Sequence, residues 1–77
     1  MTELEKNVLE LVAQAFNKDV AEIGLDTAFK DDLAASSLVM VSLIANIEEE
    51  LDVMIPISEA AKFKTVADLT AAVAAEV

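Results

Sequence analysis

Apolar residues recur with helical spacing near the start of the chain, and the pattern predicts a first helix from about Glu3 to Phe16. Thr2 and Glu5 fit a capping box, in which each side chain accepts a hydrogen bond from the other residue's backbone N–H. The polar run at residues 17–19 ends this helix. The apolar positions that define it are Leu4, Val8, Leu11, Val12 and Phe16.

From Val20 to Ala35 the apolar residues follow no regular period, and the pattern predicts a long loop with hydrophobic side chains pinned into the core. This segment contains Gly24, the chain's one glycine, and the polar pair Asp26 and Thr27. A loop of this length is unusual in a compact domain and often has a function.

The next segment predicts a second helix from Ser37 to about Leu51, with Ser36 as its N-cap. Many β-branched residues between Leu38 and Ile44 leave a strand possible there. The glutamates at residues 48–50 and the scarcity of turn residues favour the helix. We expect one inward stripe on it, formed by Leu38, Val41, Ile44, Ile47 and Leu51.

Pro56 ends any helix before it, and Ser58–Lys62 is long enough for a short helix. Thr65 with Asp68, placed at the third helical position, predicts a capped start for a last helix that continues toward Val77. The predicted fold is therefore all-α. It is a small bundle of three main helices plus one short helix, with a long loop between the first two, in a single domain over residues 1–77.

The composition argues against several classes of function. The chain has 15 acidic residues and 5 lysines, for a net charge of -10, so it should repel nucleic acid and be attracted to basic surfaces of partner proteins. It lacks His, Cys, Tyr and Trp, which removes the usual general base and the strongest nucleophile. We therefore expect no catalytic residues. We also expect no metal site, because residues 19–32 lack the ligand pattern of a calcium loop.

The N-terminus is charged, and no apolar run approaches the roughly 20 residues that span a bilayer. These features predict no membrane insertion, and we expect a monomer in the cytoplasm. Ser37 is the candidate for chemistry. A hydroxyl in the first turn of a helix faces unpaired backbone N–H groups and the positive end of the helix dipole, and both favour a phosphate attached there. The alternative is that Ser36 and Ser37 only cap the helix.

Residues 32–38 read Asp-Leu-Ala-Ala-Ser-Ser-Leu and resemble the motif of the acyl carrier proteins, commonly Asp-Leu-Gly-Ala-Asp-Ser-Leu. Residues 26–29, 47–56 and 63–69 resemble other parts of the family pattern, so the similarity covers nearly the whole chain. The resemblance implies that Ser37 carries 4'-phosphopantetheine, transferred from coenzyme A by a phosphopantetheinyl transferase. The arm would hold acyl groups as thioesters for acyl-loading and acyl-transferring enzymes of fatty acid, polyketide or lipid biosynthesis.

Two departures from the family pattern lie within the motif. Ser36 stands where aspartate is usual, and Ala34 stands where glycine is usual. The start of the second helix also lacks the family's acidic residues, so we expect partners with apolar as well as basic docking surfaces. The alternative is that the apolar residues at the start of the second helix belong to a broader core stripe. The predicted docking residues are Ser36, Leu38, Val39, Met40, Ser42, Glu48 and Glu49.

The resemblance further implies that an acyl chain enters the bundle beside the second helix. The groove candidates are Ile44, Ile47, Ile57, Ala61 and Val66, for which ordinary core packing is the alternative. Two other functions stay open at this point. One is a carrier for aminoacyl or peptidyl groups, and the other is an unmodified helical module that binds other proteins.

Overall fold

The computed structural model describes residues 2–60 and 62–76, except for the side chain of Ile57. Their order along the chain is helix α1, a 3-10 turn, and helices α2, α3 and α4. The all-α prediction of three main helices and one short helix is confirmed. The bounds are α1 Glu3–Ala15, the 3-10 turn Val20–Glu22, α2 Ser37–Leu51, α3 Ile57–Ala60 and α4 Val66–Glu76.

The start of α1 is held by the predicted capping box. The backbone N–H of Glu5 donates to Thr2 Oγ1 at 3.1 Å, and the backbone N–H of Thr2 donates to Glu5 Oε1 at 2.7 Å. Both bonds satisfy groups that a helix start would otherwise leave without a partner. The helix ends at Ala15, one residue earlier than predicted, and Asn17 then adopts a left-handed φ of 54°.

The core lies where α1 packs against α2 and α4, with Phe29 of the long loop inserted between them. Burial of these apolar side chains is the main stabilising term for a chain of this size. Residues that are 3 % exposed or less are Val8, Leu9, Val12, Phe29, Leu43, Ile44, Ile47, Val66, Leu69 and Val73.

The predicted inward stripe of α2 is wrong at its first two positions. Leu38 is 79 % exposed and Val41 is 41 % exposed. The first four predicted positions advance in steps of three residues. Each such step falls about 60° short of a full turn, so these positions do not stay on one face of the helix. The buried face instead mixes steps of three and four, and consists of Met40, Leu43, Ile44 and Ile47.

The long loop between α1 and α2 is confirmed, although the sequence did not predict its 3-10 turn. Backbone hydrogen bonds attach its second half to the segment that enters α4. The N–H of Phe29 donates to the carbonyl of Lys64 at 2.9 Å, and Ala28 forms an isolated antiparallel bridge with Thr65. Because these bonds join distant parts of the chain, the loop has a fixed position despite its irregular backbone.

The C-terminal half follows the predicted order. The short helix α3 begins one residue before the predicted segment, and α4 begins at Val66. Asp68 lies at the third position of α4, as predicted, and its Oδ2 accepts hydrogen bonds from the backbone N–H groups of Lys64 and Thr65 at 3.0 and 3.3 Å. Across residues 2–60 and 62–76, the structure has no helix long and apolar enough to cross a membrane.

Candidate functional site

Ser37 is the first residue of α2, and its side chain is exposed. Ser36 is the N-cap, and its Oγ accepts a hydrogen bond from the backbone N–H of Val39 at 3.2 Å. The predicted cap and helix start are therefore both confirmed. Because Ser36 makes the capping bond, the Ser37 hydroxyl stands at the helix tip without serving as the N-cap.

The preceding loop positions Ser37 through its backbone. The N–H of Ala35 donates to the carbonyl of Phe29 at 2.9 Å, and Phe29 is anchored in the core. Asp32 closes the turn, since its Oδ2 accepts from the N–H of Ala28 at 2.8 Å. Ala34 adopts a left-handed φ of 51°, the conformation in which glycine carries no steric penalty. Most motif residues before Ser37 thus have identifiable structural roles.

A cavity of about 740 Å³ opens beside Ser36 and Ser37. Its size falls within the range of small-molecule sites in proteins. The exposed hydroxyl beside this cavity leaves room for a long flexible group attached at the helix tip, so the residues present fit a phosphopantetheine arm. The apolar part of the lining consists of Ala28, Ala35, Met40, Val41, Ala60 and Phe63.

The predicted docking residues differ in exposure. Four are exposed, namely Ser36, Leu38, Ser42 and Glu49. Val39 and Glu48 are half-buried, and Glu48 Oε2 accepts a hydrogen bond from the backbone N–H of Ile55 at 2.9 Å.

Met40 is 9 % exposed and packs within the core, although it also lines the cavity beside Ser37, so its docking role stays a prediction. Val41 was missed as a surface residue, since the stripe prediction had placed it inside. The sequence does contain a signal for this exposure. In a helix, Val41 lies away from the face that contains both Leu43 and Ile47.

Of the predicted acyl-groove residues, Ile44, Ile47 and Val66 do not line the cavity beside Ser37. Ile44, Ile47 and Val66 are at most 2 % exposed and pack within the core. Ala61 lies outside the described residues, as does the side chain of Ile57. The groove role of the five residues stays a prediction, and for Ile44, Ile47 and Val66 it would require the core to open.

Comparisons with known proteins agree with this geometry. A family model described as a phosphopantetheine attachment site matches residues 6–73. An acyl carrier protein of Porphyromonas gingivalis is 40 % identical over 68 residues, which covers 88 % of this chain and 87 % of that protein. An acyl carrier protein of Rickettsia typhi is 47 % identical over 66 residues, covering 86 % of this chain and 77 % of that protein.

The matched domain defines a class of carriers that bear a covalently attached 4'-phosphopantetheine. Within that class, the chain belongs to the acyl carrier protein family, as the resemblance of its motif indicated. Membership implies interaction with a phosphopantetheinyl transferase and with acyl-handling enzymes. Carriers of this family are not catalysts, so the chain is not an enzyme.

Proposed function

We propose that Ser37 is the attachment residue for 4'-phosphopantetheine and that the chain presents acyl groups to biosynthetic enzymes. The observation behind this proposal is the exposed Ser37 hydroxyl at the tip of a 15-residue helix, beside a cavity of about 740 Å³. When bound, the arm supplies a thiol that holds an acyl group as a thioester at the end of a flexible tether. A tether of this kind raises the effective concentration of the acyl group at a docked enzyme.

The electrostatics of the helix tip support a phosphodiester at Ser37. The backbone N–H groups of the first turn and the helix dipole favour negative charge there. The first turn of α2 contains no acidic residue, and Ser36 caps it with a neutral hydroxyl. No side chain of that turn therefore competes for the same positive potential.

Intact-mass measurement after incubation with coenzyme A and a broad-specificity transferase tests the attachment. We expect the chain to gain the mass of one phosphopantetheine and Ser37→Ala to gain none. Ser42→Ala is the matched control, because Ser42 is an exposed serine further along the same helix, and it should be loaded like the unchanged chain. Loading of Ser37→Ala, or no loading of the unchanged chain by several transferases, would refute the assignment.

We propose that partners recognise the start of α2 through apolar contacts more than through charge. Leu38 and Val41 lie three residues apart, so they expose apolar surface on one face of the first turns. Val39, Met40 and Ser42 stand where the family resemblance places acidic residues. Such contacts depend on buried area, so binding should fall little with salt at this end. At the other end of the helix, exposed Glu49 would contact basic groups.

Leu38→Asp tests the apolar contact. Because Leu38 is 79 % exposed and lies in the first turn of α2, the substitution loses little packing and adds a favourable charge at the helix N-terminus, so the unfolding temperature should not fall. It should raise the transferase's KM for the carrier several-fold. Ala45→Asp, an exposed change on the same helix, is the control and should have a smaller effect on KM. Equal effects of the two variants would show that added charge, and not the lost apolar contact, weakens binding.

The cargo and pathway form the last part of the proposal. The names of the relatives favour acyl over aminoacyl cargo. We infer a dedicated pathway in fatty acid, polyketide or lipid biosynthesis, because the neutral start of α2 would suit a restricted set of partner enzymes. Mass spectrometry of the carrier isolated from its own cell tests both points. An aminoacyl thioester as the dominant species would contradict the acyl assignment.

A further inference from the structure

We propose that Lys30 and Lys64 form a cationic rim that binds an anionic group tethered at Ser37, and that this group is first of all the phosphodiester of the arm. The inference rests on the proposed attachment at Ser37. It adds a binding role for two lysines that lie outside the attachment motif.

Backbone hydrogen bonds bring these two lysines to the same place as the attachment residue. The N–H of Phe29 donates to the carbonyl of Lys64 at 2.9 Å, which holds Lys30, the next residue, beside Lys64. The carbonyl of Phe29 in turn accepts from the N–H of Ala35 at 2.9 Å, two residues before Ser37. Lys30, Lys64 and Ser37 accordingly all line the cavity of about 740 Å³.

The charge of this site contrasts with that of the whole chain. The chain has 15 acidic residues and 5 lysines, whereas the cavity lining includes two lysines and one acidic residue, Asp31. Within the part of the chain that the structure describes, the one ion pair joins Lys62 to Glu59 at 3.9 Å. The ammonium groups of Lys30 and Lys64 therefore have no described carboxylate within ion-pair distance. Asp32 and Asp68 also lie close by, since their Oδ2 atoms accept from the backbone N–H groups of Ala28 and Lys64. The two unpaired ammonium groups, and not the net charge of the surface, would attract an anion at Ser37.

The phosphodiester is the favoured anion because it is attached directly to the serine, so every loaded molecule presents it at this end of the cavity. A carboxylate on the acyl group is the second source of the same chemistry, since a flexible arm allows the group to return to the cavity. Both lysines are exposed, so each contact is solvent-screened and should weaken as salt rises.

A thermodynamic cycle measures the contact without using any activity. The unfolding temperatures of unloaded and loaded protein are compared for the unchanged chain and for the double variant Lys30→Gln/Lys64→Gln. The change on loading includes the helix-dipole term, which is the same in both backgrounds and cancels in the difference. Lys6→Gln/Lys18→Gln is the matched control, because it removes the same charge from lysines that do not line the cavity.

At low salt, we expect loading to change the unfolding temperature of Lys30→Gln/Lys64→Gln less favourably than that of the unchanged chain, with a difference of about 2–5 °C. This is the size expected for two exposed ion pairs. The difference should shrink as salt is added, and the control should behave like the unchanged chain. An equal change on loading in all three proteins, or an equal loss in the control, would overturn the inference while leaving the attachment at Ser37 intact. Failure of loading, seen by intact mass, would overturn both.

Two further loaded forms distinguish the sources of the anion. The carrier is prepared with acyl groups of equal length that end either in a methyl group or in a carboxylate. A lysine-dependent shift of the same size in both forms supports the phosphodiester. A shift found only with the carboxylate-ended group would overturn the phosphodiester assignment and identify the cargo as the anion that the rim binds.

Discussion

Replacing Ala34 with glycine should stabilise the protein. Ala34 has a φ of 51°, and a non-glycine residue in the left-handed region costs about 1–2 kcal/mol relative to the right-handed one. The extra freedom that glycine gives the unfolded chain offsets about 0.4–1 kcal/mol of that gain. Because the side chain of Ala34 is exposed, its removal leaves no cavity in the core.

The midpoints of these two ranges give a net gain in the free energy of unfolding of about 0.8 kcal/mol, which corresponds to a rise of roughly 3–6 °C in Tm for a domain of this size. Urea unfolding followed by circular dichroism measures the free energy, and a thermal scan measures Tm. Ala45→Gly is the matched control. It makes the same chemical change at an exposed position inside α2, where it should cost about 1 kcal/mol.

Opposite signs for the two variants would show that the backbone conformation at residue 34 determines the effect. A Tm for Ala34→Gly that is unchanged or lower than that of the unchanged protein would refute the reasoning. Loading by the transferase provides a second readout. Because Ser36 and Ser37 follow within three residues, Ala34→Gly should be loaded at a similar rate if the loop keeps its conformation.

Three further predictions concern the helix ends. Glu48→Ala removes the acceptor of a 2.9 Å hydrogen bond from the part-buried backbone N–H of Ile55. Urea unfolding should therefore show a free energy of unfolding lower by about 1–2 kcal/mol. The control Glu49→Ala, at an exposed position, should lower it by less than about 0.5 kcal/mol. Asp52→Gly should add about 1 kcal/mol in the same assay, because it relieves a φ of 54° and removes an unfavourable charge at the C-terminus of α2; a loss would contradict this. Hydrogen bonds from the backbone and, second, from the side chain of Thr2 lower the pKa of Glu5 below its ordinary 4.5. The ionised Glu5 carboxylate therefore stabilises the folded state. Its contribution to the free energy of unfolding is complete above pH 4.5 and is lost as pH falls through the lowered pKa. In an NMR titration, Glu5 of the unchanged protein should titrate below 4.5, and Thr2→Ala, which keeps the backbone N–H at position 2, should raise the pKa only part of the way. A Glu5 pKa of 4.5 in the unchanged protein would refute the capping contact.

The parts of the fold that depend on local chemistry were predictable. The capping box at Thr2, the N-cap at Ser36 and the start of the last helix at Val66 all follow from short-range hydrogen bonding that the residue types specify. The inward face of α2 could not be predicted in the same way. Its residues 38–41 form an unbroken apolar run, which would allow any of several faces of the helix to be the buried one. Packing against α1 and α3 decides which of them is buried, and no local signal reports that choice.

The candidate site also has one part that the sequence predicts and one part that it does not. The helix tip at Ser37 was predictable from the motif, while the cavity beside it was not, because its lining comes from four separated parts of the chain. Lys64 lies beside the cavity because backbone hydrogen bonds, among them the one from the Phe29 N–H to the Lys64 carbonyl, attach its segment to the long loop. Juxtapositions of this kind depend on how the long loop docks, and the irregular pattern from Val20 to Ala35 contains no period that specifies it.

The replacement of the usual aspartate by Ser36 separates two contributions that an acidic N-cap normally combines. The hydrogen bond to the first turn is kept, at 3.2 Å from the Val39 N–H, whereas the negative charge at the positive end of α2 is lost. With no acidic residue in that turn, a phosphodiester at Ser37 would be its first negative charge. Attachment should therefore stabilise this helix more than it would stabilise one whose cap is already charged. Ser36→Asp consequently should raise the stability of the unloaded protein and reduce the gain on loading.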